Sequence, residues 1–330
     1  MRWLFLILTL LLAAGCQANA DSGEDGLALL ALPELQPGDV AAGERLRVVA
    51  TTSVIGDVVG RVGGEAIELV TIIGAGQEPH SYQPAPSDLI GVTAVDVIFV
   101  NGWQLEEGLL RDIEKAAEDV PLVPISAGIT PLPAGAHEEE DGDEEEYTDG
   151  VADPHVWMDP HLVRQWVANA RDVLATLDPA RAGTYEENAA AYLAELEELI
   201  AYSEEQLGTL PASRRRLVTN HEALAYFAAA FDFEIIGTVI PSASTVSEPS
   251  ARALTTLVER MEVAGVCTIF TDNAANPALA EATAAELRSC EDVAVLPLYT
   301  GSLGAPGSGA ESYVGMMRMN VDTIVGGLSP

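Results

Sequence analysis

Short apolar runs alternate with helical stretches along most of this chain, and this alternation most limits the folds that are open to it. The runs are apolar throughout, as is typical of parallel strands covered by helices on both faces. The alternation occupies residues 45–178 and resumes over residues 209–330. The sequence therefore predicts an α/β protein with two halves of similar size. The predicted strands are Arg47–Ala50, Ile67–Ile73, Val95–Val100, Pro121–Ile125, Leu217–Thr219, Glu234–Val239, Val266–Thr271 and Val293–Leu298.

One long helical segment, residues 179–208, separates the two halves. Pro179 suits the first turn of a helix, and Gly208 followed by Pro211 predicts its end. At 1.5 Å per residue the helix is roughly 40 Å long, enough to run along both halves. We expect a rigid connector that limits hinge motion. Its apolar residues recur at spacings of three and four, and the resulting stripe comprises Tyr185, Ala189, Tyr192, Leu196, Leu199 and Ile200.

The N-terminal segment is predicted to direct export. Residues 1–15 carry one charge, Arg2, and an apolar run too short to span a membrane, which is typical of a secretory leader. The run ends in Leu-Ala-Ala-Gly before Cys16 and resembles the lipobox of bacterial lipoproteins, which implies that Cys16 carries the lipid. Plain secretion, with Cys16 as a spare thiol, stays open. We expect residues 16–44 to form a tether and the protein to lie on the outer face of the cytoplasmic membrane, attached only through its lipid.

Acidic residues dominate the charge of the chain. The 51 acidic residues and 16 basic residues give a net charge of −35, which argues against nucleic acid or an anionic lipid surface as a partner. Nine of the twelve residues 138–149 are acidic, so a solvated loop is predicted at 137–150, within the first half. Weak collection of cations by this loop is the alternative.

Two cysteines lie in the second half. Cys267 opens a predicted strand and Cys290 closes the helix that follows, so both fall at the same edge of the sheet. A disulfide between them is geometrically feasible in an oxidising compartment. Two separate buried thiols are the alternative.

Three of the five histidines occupy loops or helix starts that follow strands: His80, His155 and His221. Such positions line the crevice at the carboxyl ends of the strands in doubly wound sheets. Prolines flank two of the three, and their fixed backbone suits a preorganised set of ligands.

Long ordered motifs surround these histidines, namely EPHSYQPAPSD at 78–88, VNGWQLE at 100–106, DPHVWMDP at 153–160 and TNHEALAYF at 219–227. With these motifs the chain resembles the zinc and manganese solute-binding lipoproteins of ABC importers, from about residue 51 to the C-terminus. The resemblance implies two Rossmann-like lobes with parallel sheets, one long rigid helix that joins them, and a metal site in the cleft between the lobes.

The resemblance also implies the metal ligands. His80 and His155 match the two histidines of the first lobe, and His221 matches the ligand of the second. The fourth ligand of the family is usually an Asp before a Ser-Tyr pair, a position that Glu311 holds here with one methylene more. Asp272 is a weaker candidate, either in the site or next to it.

Three imidazoles and one carboxylate suit zinc, whereas manganese prefers more carboxylate and a higher coordination number. Family members of the manganese type tend to replace the third histidine by glutamate, so His221 favours Zn²⁺, with Mn²⁺ as the alternative. We expect a monomeric receptor, not an enzyme, that delivers its ion to an ABC permease and its ATPase. Two rivals are a zinc hydrolase with an open fourth position and a surface adhesin whose metal is structural.

Overall fold

Two four-stranded parallel sheets form the centres of two lobes, as predicted. The computed structural model describes residues 30–38, 40–41, 43–135 and 151–329. Cys16 and the acidic segment 137–150 lie outside the described residues. Within the described part, no helix combines the length and the hydropathy that crossing a membrane requires.

The first lobe contains a sheet with the strand order β2-β1-β3-β4. Its strands are β1 (Leu46–Thr52), β2 (Ile67–Ile73), β3 (Val97–Val100) and β4 (Leu122–Pro124). Its helices are α1 (Ser53–Gly63), α2 (Pro86–Gly91), α3 (Glu107–Ala116) and α4 (Pro160–Leu177). Apolar clusters cover both faces of this sheet, and its central strands are therefore buried on both sides.

The long helix α5 (Ala182–Gly208) follows a 3₁₀ turn at Pro179–Arg181. All six residues of the predicted apolar stripe are buried. The helix packs against α1 and α4 of the first lobe and against α9 (Tyr313–Leu328) of the second. The helix therefore lies along both lobes as one continuous connector.

The second lobe repeats the architecture of the first, with the strand order β6-β5-β7-β8. Its strands are β5 (Arg216–Thr219), β6 (Glu234–Thr238), β7 (Thr268–Asp272) and β8 (Ala294–Leu298). Its remaining helices are α6 (Ala225–Phe231), α7 (Ala251–Ala264) and α8 (Ala278–Glu286). A disulfide joins Cys267, just before β7, to Cys290, after α8, with 5.8 Å between the Cα atoms.

Hydrogen bonds connect the lobes across the cleft. The indole Nε1 of Trp157 donates to the carbonyl oxygen of Thr300 at 2.9 Å, and the hydroxyl of Tyr313 donates to the carbonyl of Trp157 at 2.7 Å. The hydroxyl of Tyr226 donates to the carbonyl of Asp153 at 2.8 Å. The loops that follow the strands of both lobes are thereby in direct contact.

Residues 30–38, which we call the N-terminal strap, differ from the expected tether. Leu32 and Leu35 pack against the main core, and the amide of Gly128 donates to the carbonyl of Leu30 at 2.9 Å. The side chain of Leu30 also lies against Gly102, where a Cβ would leave it no room. The φ of Gly102, +102°, likewise favours glycine. Since Gly102 follows β3, while Gly38 abuts the C-terminal end of α4, the strap runs along the first lobe from the carboxyl edge of the sheet to its opposite edge.

Candidate metal centre

Three buried histidine rings meet between the lobes. The Nε2 atom of His155 lies 3.2 Å from Nε2 of His80 and 3.3 Å from Nε2 of His221. All three side chains are buried, and one ring nitrogen of each lies within 4.8 Å of the others. Ligand atoms of a tetrahedral ion with bonds of 2.0–2.1 Å stand about 3.3–3.4 Å apart. The triad therefore has the spacing of ligands around one metal ion.

The motif Asp-Pro-His fixes the ring of His155. Oδ1 of Asp153 accepts from the amide of His155 at 2.9 Å and lies 2.8 Å from its Nδ1. A proton on Nδ1, held by this buried carboxylate, leaves the lone pair of Nε2 directed at the triad. The side-chain Nδ2 of Asn101 adds support by donating to the carbonyl of Pro154 at 2.9 Å.

His80 is the last residue of a related segment, Glu-Pro-His, but the acidic side chain of this segment does not bond to its ring. Oε1 of Glu78 accepts from the amide of His80 at 3.1 Å. The ring Nδ1 of His80 has no hydrogen-bond partner among the described residues. The loop of His80 is therefore fixed through its backbone, and not through the ring.

His221 comes from the second lobe, immediately after β5. The hydroxyl of Thr219, the last residue of that strand, donates to the carbonyl of His221 at 2.8 Å. The carboxyl end of the strand thereby sets the direction of the ring into the cleft, as strand ends do in doubly wound sheets.

Burial keeps His80 and His221 uncharged. It lowers the pKa of His80 to about 3, with a further contribution from His155, and it lowers the pKa of His221 well below the usual range. Neutral imidazoles are the form that binds metal, so these two residues are ready donors at neutral pH.

Asp272 lies beside the triad at the end of β7. Its carboxylate accepts from the hydroxyl of Thr300 and the amide of Ala274, and it lines the same small cavity as His221. Burial raises its pKa, and Glu78 raises it further. The structure thus places Asp272 next to the three histidines, although it is not part of the triad itself.

Glu311 is not brought to the histidines. Its side chain is exposed, and its Oε1 accepts from the amide of Gly307 at 3.2 Å. Its own amide and that of Gly307 are the largest causes that lower the pKa of the carboxyl. The carboxylate that the resemblance assigned to the metal thus bonds to its own loop, ahead of α9, in contact with solvent.

Glu222 and His161, two further polar residues close in sequence to the motifs of the triad, each have a partner outside it. Glu222, the one candidate base next to a histidine of the triad, has its Oε2 accepting from the amide of Gly135 at 2.9 Å. His161 lies outside the triad, and its Nδ1 is 2.7 Å from Oδ1 of Asp159. Glu222 therefore bonds to a loop of the first lobe, and His161 is paired within its own motif.

Sequence reasoning missed two residues of the site. Asp153 and Glu78 each lie two positions before a histidine of the triad, separated from it by a proline. This spacing is the signal that could have identified them, because an acidic side chain two residues upstream can accept from the histidine amide.

Together, the fold and the buried triad define a metal-binding protein of the solute-binding class. The family model described as zinc-uptake complex component A, periplasmic (ZnuA), matches residues 48–327, and the chain belongs to this family. The family consists of metal receptors of ABC importers, which are not enzymes, and the chain is such a receptor.

Curated relatives cover nearly the whole chain. The manganese-binding lipoprotein MntA of Halalkalibacterium halodurans is 35% identical over 98% of this chain and 97% of its own. The iron-binding protein YfeA of Yersinia pestis is 30% identical over 90% of each chain. Among solved structures, the periplasmic zinc-binding protein TroA of Treponema pallidum superposes with a TM-score of 0.75, at 27% identity, over 87% of this chain and 100% of TroA.

Proposed function

We propose that this protein captures manganese outside the cytoplasm and delivers it to the permease of an ABC importer. The observation that carries the choice of metal is the 35% identity to a relative named for manganese binding, over 98% of the chain. His80, His155 and His221 are the proposed ligands, since only they form such a cluster among the described residues. The buried carboxylate of Asp272 beside them supports an ion that prefers oxygen donors.

Zinc, which the sequence favours, is the second candidate. Three imidazoles with Glu311 exposed are a donor set that suits zinc. Zinc also binds more tightly than manganese at most sites of nitrogen and oxygen donors, so relative affinity in vitro does not identify the cargo.

Uptake by cells distinguishes the two metals. A strain that lacks the gene should lose high-affinity uptake of radioactive manganese and keep that of zinc. The wild-type gene should restore manganese uptake, and a gene with His155→Ala should not. Loss of zinc uptake alone would assign zinc as the cargo. Unchanged uptake of both metals would support the adhesin alternative, in which the metal is structural.

Metal binding in vitro tests the ligands. Substitution of His80, His155 or His221 by alanine should each lower the affinity for Mn²⁺ and Zn²⁺ by orders of magnitude in competition with a chelator, with circular dichroism unchanged. Tight binding of one ion by the double variant His80→Ala/His155→Ala would contradict the assignment of the site.

Attachment to the membrane follows from the lipobox at Cys16. We infer a monomeric lipoprotein on the outer face of the cytoplasmic membrane, with the permease and its ATPase as partners, and relatives named as lipoproteins support the anchor. Cys16→Ser should release the protein from the membrane fraction. Retention of that variant in the membrane would contradict a lipid anchor at this residue.

A further inference from the structure

Three segments of the first lobe share the order acid, proline, histidine: residues 78–80, 153–155 and 159–161. In the two that begin with aspartate, Oδ1 accepts from the amide of the histidine and also lies within 2.8 Å of its ring Nδ1. The aspartate therefore holds both the backbone and the ring of its histidine, whether or not that histidine belongs to the triad.

Glutamate at position 78 changes this arrangement. Its Oε1 still accepts from the amide of His80 at 3.1 Å, but the longer side chain does not reach the ring. Oε2 accepts instead from the amide of Ser81 at 2.9 Å and from the hydroxyl of Thr245 at 2.8 Å. Thr245 belongs to the second lobe, in the segment between β6 and α7.

The carboxylate of Glu78 thus connects a histidine of the triad to the opposite lobe. Other contacts of the same loop also cross the cleft, since the amide of Gly76 donates to the carbonyl of Leu303 at 3.0 Å and Pro79 faces Gly301. Among the described residues of the loop, Glu78 is the one that bonds both to the amide of His80 and to the second lobe.

We propose that Glu78 is a positioning residue that retains His80 on the metal only while its bond to Thr245 is intact, which makes His80 the first ligand to leave when the metal is released. This inference rests on the proposed role as a metal receptor. His155 is held by Asp153 within its own lobe, so loss of contacts to the Thr245 segment leaves its ring in place. The ring of His80 has no such support. When the bond to Thr245 is lost, Glu78 contacts only the loop that carries His80 and no longer anchors that loop to the second lobe.

The dissociation rate of Zn²⁺, measured by transfer to excess chromophoric chelator, tests this proposal in the full-length protein. Thr245→Val removes the hydroxyl and should raise the rate about tenfold, the effect expected for loss of a hydrogen bond to a charged group. Thr245→Ser keeps the hydroxyl and should leave the rate within about twofold of wild type. The association rate should be unchanged in both variants, since the bond acts on retention.

A double-mutant cycle separates positioning from a general structural effect. Glu78→Asp should withdraw the carboxylate from Thr245 and place it as Asp153 is placed, so that adding Thr245→Val then changes the dissociation rate by less than about twofold. The thermal unfolding of the metal-free variants is measured alongside and should match wild type.

Two results would overturn the inference. One is a dissociation rate of Thr245→Val equal to wild type. The other is an equal acceleration by Thr245→Val in the wild-type and Glu78→Asp backgrounds, since the two residues would then act independently. Failure of the wild-type protein to bind Zn²⁺ or Mn²⁺ at all would instead contradict the proposed function.

Discussion

At the scale of single residues, the carboxylate of Asp153 determines which nitrogen of His155 can bind metal. The carboxylate is buried and lies 2.8 Å from Nδ1, so it fixes both the tautomer and the orientation of the ring. Partners of this kind matter nearly as much as the ligands they orient, although they never touch the ion.

Replacing Asp153 by asparagine should lower metal affinity about 10- to 100-fold, the usual effect of removing such a partner. Competition with a chelator of known affinity measures the change. Asp159→Asn is the matched control, because Asp159 makes the same two contacts with His161, outside the triad. Equal loss of affinity in both variants would show that the effect is not specific to the metal site.

Glu106 offers a prediction about pH. The side chain is buried after β3, Oε1 accepts from the amide of Asn101 at 2.8 Å, and Oε2 has no partner among the described residues. Burial is the largest cause that raises the pKa of its carboxyl. The folded state thus binds this proton more tightly than the unfolded state, and the associated stability is fully present below pH of about 4.3 and is lost as pH rises through the folded-state pKa.

Glu106→Gln should remove that part of the pH dependence. Urea unfolding of the metal-free protein should show a smaller loss of stability with rising pH in the variant, by at most about 1.4 kcal/mol per pH unit for one proton. Glu114→Gln, on the exposed face of α3, is the control and should reproduce the wild-type curve. An identical curve for Glu106→Gln would contradict a raised pKa.

Much of the site follows from the sequence, because its histidines lie in rigid motifs at the ends of strands. Glu311 is an example of a residue whose side-chain direction a sequence motif does not determine. The position of a residue along a motif does not determine whether its side chain points into the cleft, and here the amide of Gly307 binds the carboxylate at the surface. The contact of Glu78 with Thr245 joins residues 167 positions apart, a pairing that no local pattern encodes.

At the scale of elements, the disulfide stabilises the second lobe by closing a loop with a sequence separation of 23 residues. The double variant Cys267→Ser/Cys290→Ser should lower the free energy of unfolding by about 3 kcal/mol, the loss expected from chain entropy for a loop of this length. Chemical unfolding measures it, and wild-type protein treated with a reductant should show the same loss.

Metal affinity of that variant should stay at the wild-type value. Cys267 precedes β7, whereas the triad lies at the carboxyl ends of the strands. A large loss of affinity would show that the disulfide also maintains the geometry of the metal site.

The strands and the long helix α5 follow closely from the sequence, since burial on both faces of a sheet requires continuous apolar runs and burial of one helix face requires an apolar stripe. β2 matches its prediction residue for residue, and the other strands differ only at their ends. The packing of the N-terminal strap against the first lobe is not predicted by its composition. Its leucines alternate with polar and small residues, and its partner is the surface of a folded lobe, which local sequence does not describe.

At the scale of the whole molecule, α5 and the bonds across the cleft oppose separation of the lobes. α5 packs against helices of both lobes, and Trp157 and Tyr313 link them near the triad. We therefore predict that the radius of gyration from small-angle X-ray scattering differs by less than about 1 Å between the metal-free and metal-bound protein. A larger change would mean that the connector bends as a hinge.

The N-terminal strap also has a consequence for how the receptor meets its permease. A fully extended chain from Cys16 to residue 44 would span roughly 100 Å, but Leu30 is already bound to the first lobe, and the 14 residues from Cys16 to Leu30 span at most about 50 Å. In the proposed lipid-anchored form, the shorter distance between the anchor and the folded part confines the receptor to a thinner layer at the membrane surface. At a fixed number of receptors per area of membrane, a layer of half the thickness holds them at about twice the concentration, so the permease encounters about twofold more receptor.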